Sequence, residues 1–317
     1  MQQELEQAHN WLSAGHSIVL AVVSKTWGSA PRPTGSLMVI HENGHFEGSV
    51  SGGCVEGSVI AEASVLMGGT QSKTLEFTVA SSDAWQVGLA CGGQIHIQLF
   101  PLGKQDAGAI LAAIDHLERR VSGGLGLSKK PSHAFFVPDG YIGTAQSSLA
   151  EDDQELTIAV QPKPQLYIVG AVHIAQALTP MATECDYRVT VIDPREIFIE
   201  ERAFAGAAVI HDWPDEYFAA HPLDALSALV TLTHDPKIDD AALKHGLNSD
   251  AFYIGSLGSK KTHVARLGRL SKNRFSQEQL GRINGPIGLN IGSKSPAEIA
   301  VSIMAQITAD FRGVHAV

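Results

Sequence analysis

The chain has 317 residues, of which 44% are hydrophobic and 18% are charged, a composition typical of globular proteins and a length that allows two domains. Its 23 lysines and arginines against 33 aspartates and glutamates leave a formal net charge of −10, which argues against a broad surface for nucleic acid or anionic membranes. Three cysteines do not suggest a disulfide framework, and the acidic start MQQELEQAHN is not typical of a signal peptide, so we expect a soluble cytoplasmic protein.

The first half of the chain mixes helical and strand patterns. Apolar residues at helical spacing predict helices at 3–14, at 55–67 and around 110–117. Buried or alternating runs predict strands at 17–23, 75–79 and 95–99, and a hairpin of 37–40 with 46–50 around HENGH. We expect the glycines at 123–126 to interrupt regular structure. We assign residues 1–160, including the less regular stretch 104–160, to a mixed α/β domain.

The pattern changes after QPKPQ at 161–165, whose prolines are typical of a linker. Strands and helices then alternate, which predicts a Rossmann-like doubly wound parallel sheet over residues 161–317. The predicted strands are 166–170, 188–193, 208–211, 229–233 and 252–255, and the predicted helices are 173–185, 237–246, 259–270 and 296–311.

Two of the three cysteines stand beside paired glycines. Cys54 follows Gly52 and Gly53 at the start of a predicted helix, and Cys91 precedes Gly92 and Gly93 at the start of a predicted strand. Unpaired N–H groups at a helix start favour thiolate, and such thiols bind soft metals, carry sulfur or exchange as disulfides. The competing interpretation is that both are small core residues. Without a CxxC or His pair a zinc site is not predicted, and we interpret Cys185 as structural.

The strand–turn–helix at 167–178 is typical of the first turn of a dinucleotide fold, where GxGxxG is expected. Gly170 is present, but Val172 stands where a bare backbone should approach pyrophosphate. Asp193 follows the next strand, 23 positions after Gly170, at the spacing expected of a ribose-binding acid. His173 is the first residue of the predicted helix. Its two interpretations are a contact with a bound anion and a structural role. Two interpretations stay open: nucleotide binding, or a Rossmann architecture without it.

Further residues that are candidates to bind an anionic ligand follow other predicted strands in the second half of the chain. His234 comes after a predicted strand, and ligands of open α/β sheets gather at the carboxyl ends of strands. Gly258, Ser259 and Lys260 open a helix, where glycine, hydroxyl and lysine suit phosphate. Arg282 begins the glycine-rich stretch RINGPIGLNIG and is a candidate contact, although a solvated arginine is the commoner case.

The motifs taken together resemble the XdhC/CoxI family of xanthine dehydrogenase accessory proteins. In the first half these motifs are TWGSAPRPTGS, GSVSGGCVEG and GLACGG, and in the second half they are YIVGAVHIAQAL, VTVIDPR, THD, YIGSLGSKK and RINGPIGLNIGSKSPAEIAVSI. The resemblance implies a homodimeric maturation factor that binds molybdenum cofactor while a cysteine desulfurase exchanges an oxo ligand for sulfur. The factor then delivers the cofactor to a molybdenum hydroxylase apo-enzyme.

The resemblance also implies roles for individual residues. Cys54 and Cys91 are candidate contacts to the metal or its sulfur, and Arg32 and Glu56 are expected to line the same cleft. The usual family turn, GAGHVAQAL, has glycine where this chain has Val172.

Three functions are consistent with these sequence features. The first is a cofactor-binding chaperone, more a maturation factor than an enzyme with turnover. The second is an NAD(P)-dependent oxidoreductase or nucleotide-binding protein that uses the second half. The third is a thiol–disulfide module that uses Cys54 and Cys91.

Overall fold

The computed structural model describes residues 1–28, 32–78, 94–138 and 149–314. Cys91, Gly92 and Gly93 lie outside the described residues. The chain divides into two compact units, Met1–Pro162 and Lys163–Val317. Within the described residues, no helix has the length and apolar character needed to cross a membrane.

The first unit contains two antiparallel sheets. The larger has the order β3-β2-β1-β5-β4, and the smaller has the order β7-β6-β9-β8. The strands of the larger sheet are β1 (Ile18–Trp27), β2 (Leu37–His41), β3 (Phe46–Gly48), β4 (Lys73–Thr78) and β5 (Gln94–Leu102). Those of the smaller sheet are β6 (Gly123–Lys129), β7 (Ser132–Val137), β8 (Leu149–Glu151) and β9 (Glu155–Val160). The helices are α1 (Gln2–Ser13), α2 (Glu56–Leu66) and α3 (Ala107–Glu118).

The central strand β1 is buried on both faces, which explains its unbroken apolar sequence. Leu20 and Val22 face a core shared with α1, α3 and the smaller sheet. Val19, Ala21 and Val23 face the opposite core, which contains the buried side of α2. Successive side chains of a strand point to opposite faces, so one strand serves both cores.

The glycines at 123–126 do not interrupt the structure, contrary to the prediction, because they form part of β6. An added Cβ at Gly123 would lie 2.6 Å from the Phe136 ring, and one at Gly126 would lie 2.3 Å from the Phe135 ring. Both phenylalanines belong to the neighbouring strand β7. These glycines therefore provide space for aromatic rings across the sheet, a packing role that local sequence does not reveal.

The second unit has the predicted parallel sheet, and its strand order β12-β11-β10-β13-β14-β15 is that of a Rossmann fold. The strands are β10 (Gln165–Val169), β11 (Arg188–Ile192), β12 (Ala207–Ile210), β13 (Ser227–Thr231), β14 (Tyr253–Ser256) and β15 (Ile283–Asn284). The order reverses between β10 and β13, where open α/β sheets form their ligand crevice. The carboxyl ends of all these strands share one edge of the sheet.

Helices cover both faces of this sheet. One core contains the buried sides of α4 (His173–Glu184) and α10 (Pro296–Phe311). The other contains α6 (Pro214–Ala220), α7 (Pro236–Leu247), α8 (Lys260–Ser271) and α9 (Gln277–Gly281). The predicted long helices are present within one or two residues, whereas the short α5 (Glu196–Glu200), α6, α9 and β15 were not predicted.

We expect Ile168→Ala, in the fully buried middle of β10, to lower the free energy of unfolding by about 2–5 kcal/mol, because the change leaves a cavity between the sheet and its helices. Urea denaturation followed by circular dichroism measures the loss. Val264→Ala is the matched control, because that side chain is 69% exposed and should change stability little. Equal effects of the two substitutions would contradict the assigned core.

Candidate functional site

The glycine–cysteine turn of the first unit is built around the carboxylate of Glu56. Glu56 is the first residue of α2 and is only 8% exposed. Its Oε1 accepts hydrogen bonds from Ser49 Oγ (2.7 Å), Val50 N (3.2 Å) and Ser51 N (2.9 Å). Its Oε2 accepts from Ser51 Oγ (2.5 Å), Gly53 N (2.9 Å) and Val55 N (3.2 Å). One buried side chain therefore holds the whole turn from residue 49 to residue 55.

These contacts determine the charge of Glu56. Burial alone would raise the pKa of its carboxyl, but hydrogen bonds from the Ser51 and Ser49 hydroxyls and from backbone amides lower that pKa from 4.5 to about 2. Glu56 is therefore ionised at neutral pH. Because both of its oxygens bind the turn, Glu56 supports the candidate site rather than offering an open carboxylate to a ligand.

The glycines allow the turn to close around this carboxylate. Gly52 has φ +74° and Gly53 has φ +109°, conformations that residues with a Cβ rarely adopt. Cys54 follows them, half-buried and packed against the core beneath α2. The Gly52 N–H donates to Ser49 Oγ and the Cys54 N–H donates to Ser51 Oγ, so these amides serve the turn itself. Gly52 and Gly53 form its exposed side.

The other residues expected near this turn are only partly within the described chain. Arg32 is half-buried, and its Nε is a buried donor with no hydrogen-bond partner among the described residues. The predicted pairing of Cys54 with Cys91 as metal contacts involves a residue outside the described ranges, and it stays a prediction.

Only one group of three histidine, cysteine or acidic side chains suited to a metal ion occurs in the described residues, and it is distant in sequence from Cys54. It comprises His16, His41 and Glu42, whose ligand atoms lie within 4.8 Å of one another. His41 Nδ1 accepts a hydrogen bond from Asn43 N at 3.1 Å, so the neutral ring carries its proton on Nε2. Glu42 already binds His16 Nδ1 and Ser17 N. Both facts favour a structural hydrogen-bond cluster.

In the second unit, the turns after β10 and β13 meet at the point where the strand order reverses. Gly170 follows β10 with φ +116°, and an added Cβ there would lie 2.8 Å from Thr233 Cγ2. A glycine is therefore required for close packing at this point. His173 is exposed at the first residue of α4, and His234 follows β13 with φ +64°.

Asp193 lies at the carboxyl edge of the sheet, as predicted, but both oxygens of its carboxylate already accept hydrogen bonds. Oδ1 accepts from Arg195 N and Nε at 3.0 and 2.8 Å, and Oδ2 accepts from Arg195 Nη2 and Ala171 N at 2.7 and 2.8 Å. Burial would raise the pKa of Asp193, but these hydrogen bonds lower it. Asp193 is fully buried, so in this arrangement it holds the glycine turn and has no free oxygen for a ribose.

The loop after β13 is also held by a carboxylate, one that was not predicted from the sequence. Asp239, 2% exposed on α7, accepts from Thr233 N and Oγ1 and from His234 N. From the motif THD, the sequence predicts His234 as a candidate, and this histidine is exposed. The acid that orients the loop lies four residues beyond that motif, where helical spacing turns it toward the strand ends.

Gly258, Ser259 and Lys260 occupy the start of α8 at the carboxyl edge, as the sequence predicts. Gly258 has φ +141°, and the Ser259 hydroxyl caps α8 by accepting from Thr262 N at 3.2 Å. Lys260 and Lys261 are exposed.

Arg282 does not lie near the candidate residues at the carboxyl edge of the sheet. It precedes β15, and its guanidinium donates to the backbone carbonyls of Leu247, Ser249 and Ala251 at 2.8–3.2 Å. All three acceptors precede β14, so Arg282 lies at the amino edge of the sheet, opposite the ligand edge. Its assignment to an anionic ligand is therefore corrected: it closes the loop between α7 and β14.

The two units, an antiparallel α/β unit followed by a Rossmann unit, each match a known family. Residues 166–307 match the family model described as the XdhC Rossmann domain, and residues 11–78 match the model described as the XdhC and CoxI family. The two matches lie in different units and together span about two thirds of the chain. The chain belongs to the XdhC and CoxI family, as its motifs predict.

Relatives extend over nearly the whole chain. The molybdenum cofactor insertion chaperone PaoD of Escherichia coli is 27% identical, covering 93% of this chain and 84% of that protein. A Bacillus subtilis protein described as a probable xanthine dehydrogenase subunit is 27% identical as well, covering 91% and 92%. A crystal structure described as a xanthine dehydrogenase from Bacillus halodurans matches with a TM-score of 0.75 at 26% identity, covering 98% of this chain and 96% of that one.

We expect Glu56→Gln to lower the free energy of unfolding by about 3 kcal/mol at pH 7. Folding lowers the pKa of this carboxyl from 4.5 to about 2, and each pKa unit corresponds to roughly 1.4 kcal/mol. The folded-state pKa is the lower one, so the contribution is complete above pH 4.5 and is lost as the pH falls through about 2. Urea unfolding of both proteins between pH 7 and pH 2 should therefore show the difference disappearing.

The control for this substitution is Glu62→Gln, on the same helix, where the carboxylate makes an exposed ion pair with Lys73. Its effect should be small at every pH. A Glu56→Gln difference that stays constant down to pH 2 would contradict the assigned role of the carboxylate.

For Arg282→Ala we expect a loss of about 2–4 kcal/mol in the free energy of unfolding, because three carbonyl groups lose a charged donor. Affinity for any ligand at the carboxyl edge should be unchanged. Urea unfolding combined with a phosphate titration tests both parts. Weakened anion binding without loss of stability would restore the original assignment.

Proposed function

We propose that this protein binds molybdenum cofactor and holds it for insertion into a molybdenum hydroxylase of the xanthine dehydrogenase type. Two relatives that cover most of the chain support the broad role, because one is named as an insertion chaperone for this cofactor and the other as a probable xanthine dehydrogenase subunit. The cofactor is cargo in this proposal, and the protein is a maturation factor.

The observation that carries the proposal is the construction of the Cys54 turn. Six hydrogen bonds to one buried carboxylate fix a backbone that has two glycines on its exposed side and a cysteine beside them. Glycines permit close approach of a large ligand, and a thiolate is a ligand for soft metals. We assign Cys54 to the molybdenum end of the cargo, with Gly52 and Gly53 against its face and Glu56 as their support.

Cys91, with Gly92 and Gly93, is proposed as a second thiol for the metal or its sulfur. Arg32 is proposed to donate a hydrogen bond to the cargo, and its buried Nε, which has no partner within the part of the chain that the structure describes, supports this role. The second unit by itself contains residues that are suited to a phosphate group. Gly258, Ser259 and Lys260 are proposed for phosphate, with Gly170, His173 and His234 at the same sheet edge.

Two partner proteins belong to this proposal. A cysteine desulfurase exchanges an oxo ligand of the held cofactor for sulfur, and the apo-enzyme then receives the cofactor. We further propose that the protein acts as a homodimer in the cytoplasm. These steps follow from the family motifs and are open to direct test.

An NAD(P)-dependent oxidoreductase is the less favoured function. Val172 occupies the usual second glycine position, and the oxygens of Asp193 already bind Arg195 and Ala171. A nucleotide would therefore need both the turn and the acid to rearrange. The thiol–disulfide alternative requires Cys54 and Cys91 to bond reversibly, which thiol titration before and after oxidation would detect.

We expect Cys54→Ala to reduce retention of molybdenum cofactor severalfold, since the substitution removes the thiol and leaves the turn intact. The reduced protein is mixed with cofactor released from a donor molybdenum enzyme and passed through gel filtration. Molybdenum and pterin are then assayed in the protein peak. Cys185→Ala is the matched control, because Cys185 is exposed and belongs to the other unit.

Retention lost in Cys54→Ala and kept in Cys185→Ala would support the proposal. Equal retention by all three proteins would remove Cys54 from the cargo site. If the wild-type protein retains no cofactor, the chaperone function is wrong, and nucleotide binding and thiol exchange become the functions to test.

A further inference from the structure

Buried nitrogen atoms without partners are concentrated on one face of α8. Six buried side-chain nitrogen or oxygen atoms of the described residues lack a hydrogen-bond partner. Three of them are Arg266 Nε, Arg266 Nη1 and His263 Nδ1. Residues three apart on a helix share a face, so these atoms form one group.

Arg266 is the unusual member of this group. Its side chain is 2% exposed, and Nη2 donates to the carbonyl of Leu257 at 2.7 Å. Burial lowers the pKa of this guanidinium, while the nearby charges of Asp239 and Asp240 raise it. A buried charge is costly unless it is fully hydrogen-bonded, so two guanidinium nitrogens without a partner among the described residues require an explanation.

The neighbouring acids do not use these donors. Asp239 accepts its hydrogen bonds from Thr233 and His234, and Asp240 forms a bidentate pair with Arg269 at 2.6 and 2.9 Å. Arg269 thus has a complete partner one turn along the same helix. Among the described residues, the hydrogen-bond partner of Arg266 is the carbonyl of Leu257.

The guanidinium lies under the turn that begins α8. An added Cβ at Gly258 would be 3.7 Å from Arg266 Nη2, so this glycine sits against the arginine. The helix start adds backbone N–H groups and a partial positive charge, and Lys260 and Lys261 are exposed there. Positive charge and unused donors therefore coincide at the carboxyl edge of β14.

His263 completes the group beside β15. Its Nδ1 occupies the space above Gly285, where an added Cβ would lie only 2.1 Å away. Burial and the charge of Arg266 lower the pKa of this imidazole, so the ring is neutral at pH 7. A neutral imidazole adds a hydrogen-bonding group without adding charge.

We propose that the start of α8 is a binding site for a phosphate monoester, in which Arg266 Nε and Nη1 are the principal donors and His263 is a positioning residue. The nitrogens are shielded from solvent, so binding requires the Leu257–Gly258 turn to shift. The inference rests on the proposed function only for the molecule that carries the phosphate. A pterin cofactor tail and a nucleotide monophosphate share this chemistry.

The test is a calorimetric titration of the full-length protein with sodium phosphate at constant ionic strength, with chloride as the reference anion. We expect saturable phosphate binding by the wild-type protein. Arg266→Lys keeps the charge and removes the planar fork, so it should weaken binding roughly tenfold or more. Arg269→Lys is the matched control and should leave the dissociation constant unchanged.

Arg266→Lys is also checked by thermal melting, because Arg266 is buried. If it does not fold, the double variant Lys260→Gln with Lys261→Gln replaces it, since both lysines are exposed and should weaken phosphate binding without unfolding the protein. Absence of saturable binding by the wild-type protein would overturn the site. Equal loss in the Arg266 and Arg269 variants would also overturn it, because the effect would then not be specific to the Arg266 guanidinium.

The source of the phosphate is distinguished in two further arms. Loss of cofactor retention in Arg266→Lys, with Cys54 intact, supports the site and identifies the pterin tail. Tighter binding of 5′-AMP than of inorganic phosphate supports the site and identifies a nucleotide. Phosphate binding by a protein that retains no cofactor would leave the site standing and the proposed function wrong.

Discussion

A buried carboxylate that accepts hydrogen bonds from backbone N–H groups holds three of the loops at the candidate sites. Glu56 closes the glycine–cysteine turn, Asp193 holds the turn after β10, and Asp239 holds the loop after β13. Backbone amides at such turns have no partner in a regular element, and one carboxylate satisfies several of them at once. The loops are therefore ordered from within, before any ligand binds.

This construction changes how the acids are interpreted. Glu56 and Asp193 were predicted to contact a ligand, yet their oxygens accept hydrogen bonds from the protein itself. The groups proposed for a ligand are of another kind: the thiol of Cys54 and the guanidinium nitrogens of Arg266 that have no hydrogen-bond partner among the described residues. A thiol suits a soft metal, and a guanidinium suits phosphate.

The elements that were predicted well are those whose signal is local. Alternating strands and helices of the second unit were recognised because buried parallel strands are continuous apolar runs and each helix has a regular apolar face. Short elements such as α5 and β15 carry too few residues for a period to be visible. The strand containing Gly123 and Gly126 was missed because its glycines are explained by Phe136 and Phe135 on the neighbouring strand.

The sequence by itself determined the family, the Rossmann class of the second unit and the positions of the glycine turns, because motif order and periodicity are written along the chain. Only the tertiary structure decided which charged residues are available. Asp193 is paired with Arg195, and Arg282 lies at the amino edge of the sheet. Arg266 is buried and, among the described residues, does not have the acidic hydrogen-bond partner that Arg269 has. The physical reason is that the availability of a charge depends on burial and hydrogen-bond partners, which are contributed by residues distant in the sequence.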